Sequence, residues 1–388
     1  MKLDPKLREF CTVRQLEIFE ALEKHGTHRA AAVALGCNKS LVNSAMMAVK
    51  KKAALQGYSP EHDMTRTVPD GFKVKGVSTY YNAEGKPSGQ WVKSSADAER
   101  REQMIREAVA ALSSEIRGMG PISKQPAHCE ADLLAVYPSG DPHWGMLSWA
   151  PETGENFDLE ICRELTLGAI DRLIASAPAA ETAVFLPLGD VTHMNDQTNR
   201  TPGHQHQLDA DGRFLKVLRV SIEAYRHAIL RCLEKHKRVV VRFLAGNHDP
   251  QAVWALAFSI AAYFDNEPRV EVDLSPSKHW FFRFGKVLLG ATHGDTVKPE
   301  SLLGVMATDR AEDWGQTKFR YWYTGHVHHQ SVREYPGVVC ESFRTLAAKD
   351  AYAAAYGYRA GRDMRCIVHH KDFGEIERHR CDVAMLSA

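Results

Sequence analysis

Five short polar blocks, each placed directly after an apolar segment, constrain the fold of this chain more than any other feature. The apolar segments are four to six residues long, as buried strands often are, and helical periodicity separates several of them. The blocks are Asp141-Pro142-His143, Gly189-Asp190, Gly246-Asn247-His248-Asp249, Thr292-His293-Gly294-Asp295 and Gly325-His326-Val327-His328. Because ligand sites in α/β sheets form beyond the carboxyl ends of the strands, the blocks are expected to converge there.

The order of predicted elements indicates the fold class and three segments. Strands are predicted at 133–136, 183–188, 239–244, 287–291 and 319–323, with helices at 157–176 and 214–236. This alternation is typical of an α/β domain, which we assign to residues 131–388. A small helical domain is predicted over residues 1–60. Residues 61–130 are predicted to hold a β-hairpin, a long amphipathic helix at 95–117 and a linker at 118–130.

Composition indicates an ordinary globular chain with a basic amino-terminal region. Of 388 residues, 44% are hydrophobic and 25% charged, enough to bury a large core. Residues 1–58 hold ten Lys or Arg and five Asp or Glu, whereas the rest of the chain is mildly acidic. This asymmetry predicts a head that binds a polyanion.

Cysteine spacing and hydropathy favour a cytoplasmic protein. The eight cysteines include no C-x-x-C pair, which predicts reduced thiols. Neither a signal peptide nor a membrane span is expected, because the chain opens with charged residues and no apolar run reaches 18 residues.

The basic head resembles the helix-turn-helix of bacterial regulators. Helices are predicted at 13–25, 29–35 and from about 38 to 52, and Gly36 allows the turn between the last two. The run Thr27-His28-Arg29-Ala30-Ala31-Ala32-Val33-Ala34-Leu35-Gly36 carries the resemblance, which implies that the third helix enters a DNA groove. The implied contacts are Asn38, Lys39, Ser40 and Asn43 toward bases or phosphates, and Lys50, Lys51 and Lys52 toward backbone phosphate.

Two alternatives for this region stay open. The three helices would serve equally as a bundle for protein contacts, with Lys50–Lys52 as a solvated helix end. The hairpin at 72–93 is either a wing that presents Tyr80 and Trp91 to nucleic acid or an ordinary hairpin that packs its aromatic residues on the next helix. Helix-turn-helix heads often dimerise, so a homodimer is one expected state.

The five blocks together resemble the calcineurin-like metallophosphoesterase superfamily, whose pattern is D-x-H, G-D, G-N-H-D/E, H and G-H-x-H. The resemblance covers about residues 130–330 and implies two β-sheets packed face to face with helices outside. It implies two divalent metal ions, and Asp, Asn and His ligands without thiolates favour Mn, with Fe or Zn as alternatives. Carried over, Asp141, His143, Asp190 and His328 hold one metal, and Asp190, Asn247, His293 and His326 hold the other.

The same resemblance implies hydrolysis of a phosphoester by a hydroxide that bridges the two metals. His248 would contact the scissile phosphate and assist the leaving oxygen. Asp249 would orient the His248 ring through a hydrogen bond.

The segment after Gly189 indicates the subclass. It lacks the Arg and Gly of the Ser/Thr protein phosphatases and is similar to the G-D-x-x-H of double-strand-break repair nucleases, which makes His193 either phosphate-facing or a loop histidine. Over its whole length the chain resembles phosphoesterases of tailed phages and prophages, which implies a bacterial or phage-infected cytoplasm. The insertion at 201–212, with His204 and His206, is a surface loop, a substrate loop or an extra metal contact.

Three functions remain from the sequence. The leading one is a DNA nuclease or phosphodiesterase whose head binds DNA. The others are a small-molecule phosphodiesterase or phosphatase with a regulatory head, and a non-enzymatic DNA-binding regulator. The complete ligand set argues against the last.

Overall fold

The structure is a computed structural model that describes residues 3–62, 64–65, 72–82, 87–96 and 116–386. The chain forms two compact units, Met1–Ala108 and Val109–Ala388. Most of the helix predicted over 95–117 lies outside the described residues.

The first unit contains the three predicted helices, each begun by a capping side chain. After a 3-10 turn at Pro5–Phe10 they are α1 (Val13–His25), α2 (His28–Ala34) and α3 (Lys39–Leu55). Thr12 forms a capping box, and the side chains of Thr27 and Asn38 accept backbone N–H groups of α2 and α3. Gly26 ends α1 in the left-handed region at φ 74°. The predicted helix boundaries are therefore confirmed to within a few residues.

Two strand pairs follow in the first unit. A short pair joins β1 (Tyr58–Ser59) to β2 (Met64–Thr65), and the predicted hairpin joins β3 (Phe72–Tyr81) to β4 (Pro87–Ala96). Ser78 lies opposite Trp91 in the hairpin register. Tyr80 and Trp91 are exposed by 63% and 67%. Most of the helix on which the second alternative packs these rings lies outside the described residues, so both alternatives stay predictions.

The second unit consists of two mixed sheets and their flanking helices. Its strands are β5 (Glu130–Ser139), β6 (Ala180–Pro187), β7 (Arg238–Arg242), β8 (Val270–Asp273), β9 (Trp280–Phe284), β10 (Val287–Thr292), β11 (Phe319–Thr324), β12 (Ser331–Tyr335), β13 (Val338–Ser342), β14 (Asp363–His370) and β15 (Gly374–Asp382). Its helices are α4 (Ala150–Thr153), α5 (Leu159–Ser176), α6 (Phe214–Lys235), α7 (Ala252–Tyr263), α8 (Pro299–Asp309), α9 (Ala311–Gln316) and α10 (Ala351–Ala355).

Strand order groups the parallel strands next to one another in each sheet. The six-stranded sheet has the order β15-β14-β5-β6-β7-β8. Strands β5 to β8 are parallel, β14 is antiparallel to β5, and β15 is antiparallel to β14. The five-stranded sheet has the order β12-β13-β11-β10-β9, in which β10, β11 and β13 are parallel.

Alternation of side chains along the strands produces four layers. In β5, Leu134 and Val136 pack between the two sheets, whereas Ala135 and Tyr137 face the core formed with α5, α6 and α7. In β10, alternate residues likewise face the first sheet, and Leu288 packs outward against α8. The two-sheet sandwich flanked by helices is therefore confirmed. Within the described residues, every helix is too short or too polar to cross a lipid bilayer.

Candidate metal centre

The five blocks lie just beyond the carboxyl ends of five strands, β5, β6, β7, β10 and β11. These strands are parallel to their block-bearing neighbours within each sheet, so the blocks of each sheet share one edge. Side-chain contacts between the blocks show that the two edges meet. The predicted convergence of distant residues is thus present in the structure.

The first cluster of ligand atoms joins both sheets. Asp141, His143 and His328 place one nitrogen or oxygen each within 4.8 Å of the others. The Nε2 atoms of His143 and His328 lie 3.1 Å apart, and His328 Nε2 lies 3.8 Å from an oxygen of Asp141. Asp141 is fully buried and accepts the backbone N–H of His326 at 2.9 Å. This group matches the ligands expected for one metal except Asp190.

The second cluster contains Asp190, His293 and His326, again with ligand atoms within 4.8 Å. His293 Nε2 lies 3.3 Å from Asp190 and 3.0 Å from Asn247 Oδ1, so all four residues expected for the second metal are brought together. His293 Nδ1 contacts the backbone carbonyl oxygen of Leu188 at 2.9 Å, which directs Nε2 toward the cluster. That Asp190 bridges both clusters stays a prediction.

Backbone strain concentrates in these ligands. Among the described residues, seven non-glycine residues have positive φ, and five of them are expected metal ligands: Asp141, His143, Asp190, His326 and His328. Left-handed backbone at such residues costs of order 1 kcal/mol each and persists where the surroundings impose it, commonly at functional sites. The strain therefore supports the ligand assignment independently of side-chain distances.

Two glycines in the blocks are required by close approach to the carboxylates. A Cβ added at Gly246 would lie 2.0 Å from Asp190 Oδ1, and one at Gly325 would lie 2.6 Å from Asp141 Oδ2. Both positions must therefore stay without a side chain for the carboxylates to occupy their places.

Burial and mutual charge set the protonation of the cluster. Burial lowers the pKa of His143 well below its usual value and that of His328 to about 4, so both rings are neutral near pH 7. Burial alone would lower the pKa of His293, but Asp190 and Asp141 raise it to about 10. Burial opposes ionisation of Asp190, yet His293 holds the pKa of that carboxyl below its usual range. Burial raises the pKa of Asp141 to about 8, so near pH 7 Asp190 is ionised and Asp141 would lose its proton only beside a cation.

These residues fit a pair of divalent cations. The donors are oxygen and imidazole nitrogen without thiolates, a set that suits Mn, Fe or Zn. His143 and His328 offer neutral imidazoles, and Asp190 offers a buried carboxylate that carries negative charge. Nothing in the donor set selects one metal over the others.

The hydrogen bond predicted between Asp249 and the His248 ring is wrong. The buried Asp249 carboxylate accepts the backbone N–H groups of Thr192 and Gly246, each at 3.0 Å. His248 Nδ1 instead contacts the carbonyl oxygen of His193 at 2.9 Å. A buried carboxylate is stabilised by two backbone donors, so Asp249 holds the loops of two blocks together and the carbonyl oxygen orients the ring.

His193 is almost wholly buried, with 1% of its surface exposed. Its Nδ1 lies 3.2 Å from Nδ1 of His143, and burial lowers its pKa to about 3. The ring therefore supports His143 directly. A contact between His193 and phosphate stays a prediction.

Thr345 contributes to the centre and was missed in the sequence. Its hydroxyl donates to the carbonyl oxygen of Asp141 at 2.6 Å, and its backbone bridges to Gly140. The contact joins the loop after β13 to the strained ligand Asp141. A lone threonine 204 residues from its partner has no local sequence signal.

The residues expected to contact DNA are all exposed in the first unit, namely Asn38, Lys39, Ser40, Asn43, Lys50, Lys51 and Lys52. The Asn38 side-chain oxygen accepts the N–H of Leu41 at 2.8 Å, which commits it to capping α3. Lys50 pairs with Glu61 at 2.7 Å. The exposure of these residues is compatible with DNA binding, which stays a prediction.

The insertion is a loop closed by its own backbone. Arg200 and Gln207 form a bridge across it, while His204 and His206 are exposed and 5.8 Å apart between ring centroids. Neither histidine belongs to a candidate metal group among the described residues. The surface-loop interpretation is therefore favoured over a metal contact.

No protein-family model matches the chain, and neither does any curated protein. Solved structures similar to it include a dimetal phosphatase from Danio rerio, with 9% identity over 64% of this chain and 99% of that one and a TM-score of 0.36. A conserved uncharacterized protein, a predicted phosphoesterase from Streptococcus pneumoniae, has 9% identity over 65% and 99%, with a TM-score of 0.26. Vps29 complexed with zinc from Entamoeba histolytica has 12% identity over 64% and 99%, with a TM-score of 0.25. At these identities and TM-scores the similarities carry no argument about chemistry, which has to be argued from the residues of this chain.

Proposed function

We propose that the chain is a calcineurin-like metallophosphoesterase, a hydrolase that uses two divalent metal ions to cleave phosphoester bonds. The observation that carries the proposal is the meeting of two Asp/His clusters at the ligand edge, with strained backbone at five of the expected ligands. Two such cations, when bound, would neutralise phosphate charge and activate water for in-line attack.

The chain's own residues have distinct tasks in this reaction. His143 and His328 supply neutral imidazole nitrogens, and Asp190 supplies negative charge. Burial raises the pKa of Asp141 to about 8, so this carboxyl would ionise once a cation is bound beside it. The His248 ring is fixed by the carbonyl oxygen of His193, which leaves Nε2 to contact the phosphate and assist the leaving oxygen.

The substrate we propose is DNA. The basic first unit carries the helix-turn-helix pattern, and its predicted contact residues are exposed. The G-D-x-x-H segment ending at His193 favours a nuclease over a Ser/Thr protein phosphatase. A small-molecule phosphatase or phosphodiesterase with a regulatory head uses the same metal centre, so activity on different substrates has to separate the two.

The test compares hydrolysis by the purified protein with Mn on labelled single-stranded DNA, double-stranded DNA and bis-nitrophenyl phosphate. Asp190→Asn is the inactive control, and Asp196→Asn makes the same change six residues away. We expect DNA cleavage that Asp190→Asn reduces at least about a hundredfold, since loss of a residue that only orients a ligand already costs 10–100-fold. Cleavage of the small diester alone would reject the nuclease, and full activity of Asp190→Asn would reject the two-metal assignment.

A further inference from the structure

The loop after β13 begins beside the metal centre. Because β13 is parallel to β11, its carboxyl end lies at the edge that carries His326. Thr345 in this loop contacts Asp141, and α10 further along packs against α4, which follows the first block. The start of this loop therefore lies beside Asp141, and α10 lies against the helix that follows the first block.

Three exposed tyrosines adjoin one another in this loop. Tyr352, Tyr356 and Tyr358 are exposed by 57%, 67% and 58%. The ring centroids of Tyr352 and Tyr356 are 4.4 Å apart with the planes tilted by 32°, and those of Tyr352 and Tyr358 are 6.4 Å apart. Scattered exposed apolar residues are normal, but contiguous patches mark binding surfaces.

One cation beside these rings has no carboxylate partner among the described residues. Residues 344–362 contain four cations, of which Arg344 pairs with Asp363 and both Lys349 and Arg362 pair with Glu155, which leaves Arg359. The Arg359 guanidinium donates to the carbonyl oxygens of Ala353 and Tyr358, and no carboxylate in the described part of the chain pairs with it. An unneutralised cation therefore sits next to the exposed rings, which suits a polyanion that also carries flat rings.

We propose that Tyr352, Tyr356 and Tyr358 form a stacking platform for the unpaired bases of a nucleic acid strand whose phosphodiester enters the metal centre. The proposal rests on the proposed function and identifies its substrate as single-stranded or frayed nucleic acid. Bases of any sequence stack on aromatic rings, while Arg359 attracts the phosphates between them. Tyr352 follows Thr345 by seven residues, so it lies at most about 25 Å from Thr345, and Thr345 contacts Asp141 directly. A strand of about seven to nine stacked nucleotides spans that distance.

The test measures binding of a labelled thymidine strand of about 20 nucleotides to the full-length protein in chelator. A salt concentration of about 0.5 M weakens phosphate contacts made by the basic head and leaves stacking. We expect Tyr352→Ala/Tyr356→Ala to raise Kd about tenfold, and Tyr352→Phe/Tyr356→Phe to restore binding because it keeps the ring faces. An abasic strand of equal length and charge should bind weakly to the wild type and be insensitive to the alanine change.

Phe373 provides a matched control. It is 68% exposed, but it lies in the turn between β14 and β15. Because β14 is antiparallel to β5, that turn is at the opposite edge of the sheet from Asp141. Phe373→Ala should leave Kd unchanged.

An unchanged Kd, equal losses on normal and abasic strands, or conversion of an oligomer to a monomer by the alanine change would overturn the platform. The last result would make the tyrosines a contact between copies of the chain. Hydrolysis of bis-nitrophenyl phosphate by the same variants separates the two proposals. If the variants still hydrolyse the diester and strand binding does not depend on the tyrosine rings, the platform is wrong and the proposed phosphoesterase activity stands. If the wild type cleaves no diester but strand binding depends on the rings, the phosphoesterase proposal is wrong and the platform stands.

Discussion

The metal centre and the exposed face of α3 both consist of polar residues that stand out in the sequence, but the two regions differ in burial. Asp141, Asp190 and His293 are at most 2% exposed, whereas Lys39, Asn43 and the other expected DNA contacts face solvent. Burying a charge costs free energy unless hydrogen bonds or an opposite charge offset it. A cluster of buried ionisable residues is therefore itself an indication of a functional site. Exposed polar residues are the normal surface of any helix and indicate a partner only through pattern and charge.

The largest expected effect tests whether His248 acts on substrate or holds metal. His248→Ala should lower turnover of bis-nitrophenyl phosphate about 100- to 1,000-fold, the usual contribution of a proton-transferring side chain. Manganese affinity should be unchanged in calorimetry, because the backbone N–H of His248, not its ring, contacts Asp190 at 2.7 Å. His206→Ala removes an exposed histidine and should change neither quantity. Loss of metal with the alanine change would make the ring a ligand.

A buried histidine away from the metal centre tests the cost of burial itself. His236 contacts the carbonyl oxygen of Ala180 and the hydroxyl of Tyr137, and burial lowers its pKa from 6.5 to about 4. Between these values the unfolded chain binds a proton that the folded chain does not, so stability is full above pH 6.5 and is lost as pH falls toward 4. The loss amounts to roughly 3 kcal/mol across the window.

We therefore expect His236→Gln to flatten the dependence of the unfolding free energy on pH between pH 7 and 5, as measured by urea unfolding. His25→Gln, at an exposed position of the first unit, should leave the slope as it is. Equal slopes for wild type and His236→Gln would show that burial of this ring has no such cost.

A smaller effect is expected at Thr345, which supports a ligand without touching metal. Thr345→Val removes the hydroxyl that donates to the Asp141 carbonyl oxygen and should weaken manganese binding about tenfold in calorimetry. Thr345→Ser keeps the donor and should keep the affinity. Equal weakening by both changes would show that the hydroxyl donor alone does not account for the effect, because Thr345→Ser keeps the hydroxyl.

The smallest effects are expected on the exposed side of the comparison. Replacing Lys50, Lys51 and Lys52 by alanine should reduce the slope of log affinity for duplex DNA against log salt by about 2–3, or less if the Lys50–Glu61 pair already neutralises one charge. Lys124→Ala, outside the first unit, is the control. An unchanged slope after the triple change would remove these lysines from the DNA interface and favour the protein-contact alternative.

Local signals in the sequence predicted most of the fold and the ligand edge. Strand positions followed from apolar runs, and the turn at Gly36, where φ is 61°, followed from residue type, since both depend on neighbours in the chain. The Asp249 partner and the role of Thr345 were not predictable in this way. Each depends on which distant backbone group occupies a buried polar position once the sheets are packed.

The distribution of ligands between two sheets has a consequence for the synthesis of the protein. Asp141, Asp190 and Asn247 follow strands of the first sheet, whereas His293, His326 and His328 follow strands of the second. A nascent chain that ends before β10 therefore lacks His328 of one expected ligand set and His293 and His326 of the other, so tight binding of both metals would have to wait until the second sheet has been made and docked. Once loaded, each ion would cross-link the two sheets, so the melting temperature should rise with free manganese and fall in chelator. Metal binding would then stabilise only those chains in which both sheets have folded and packed together.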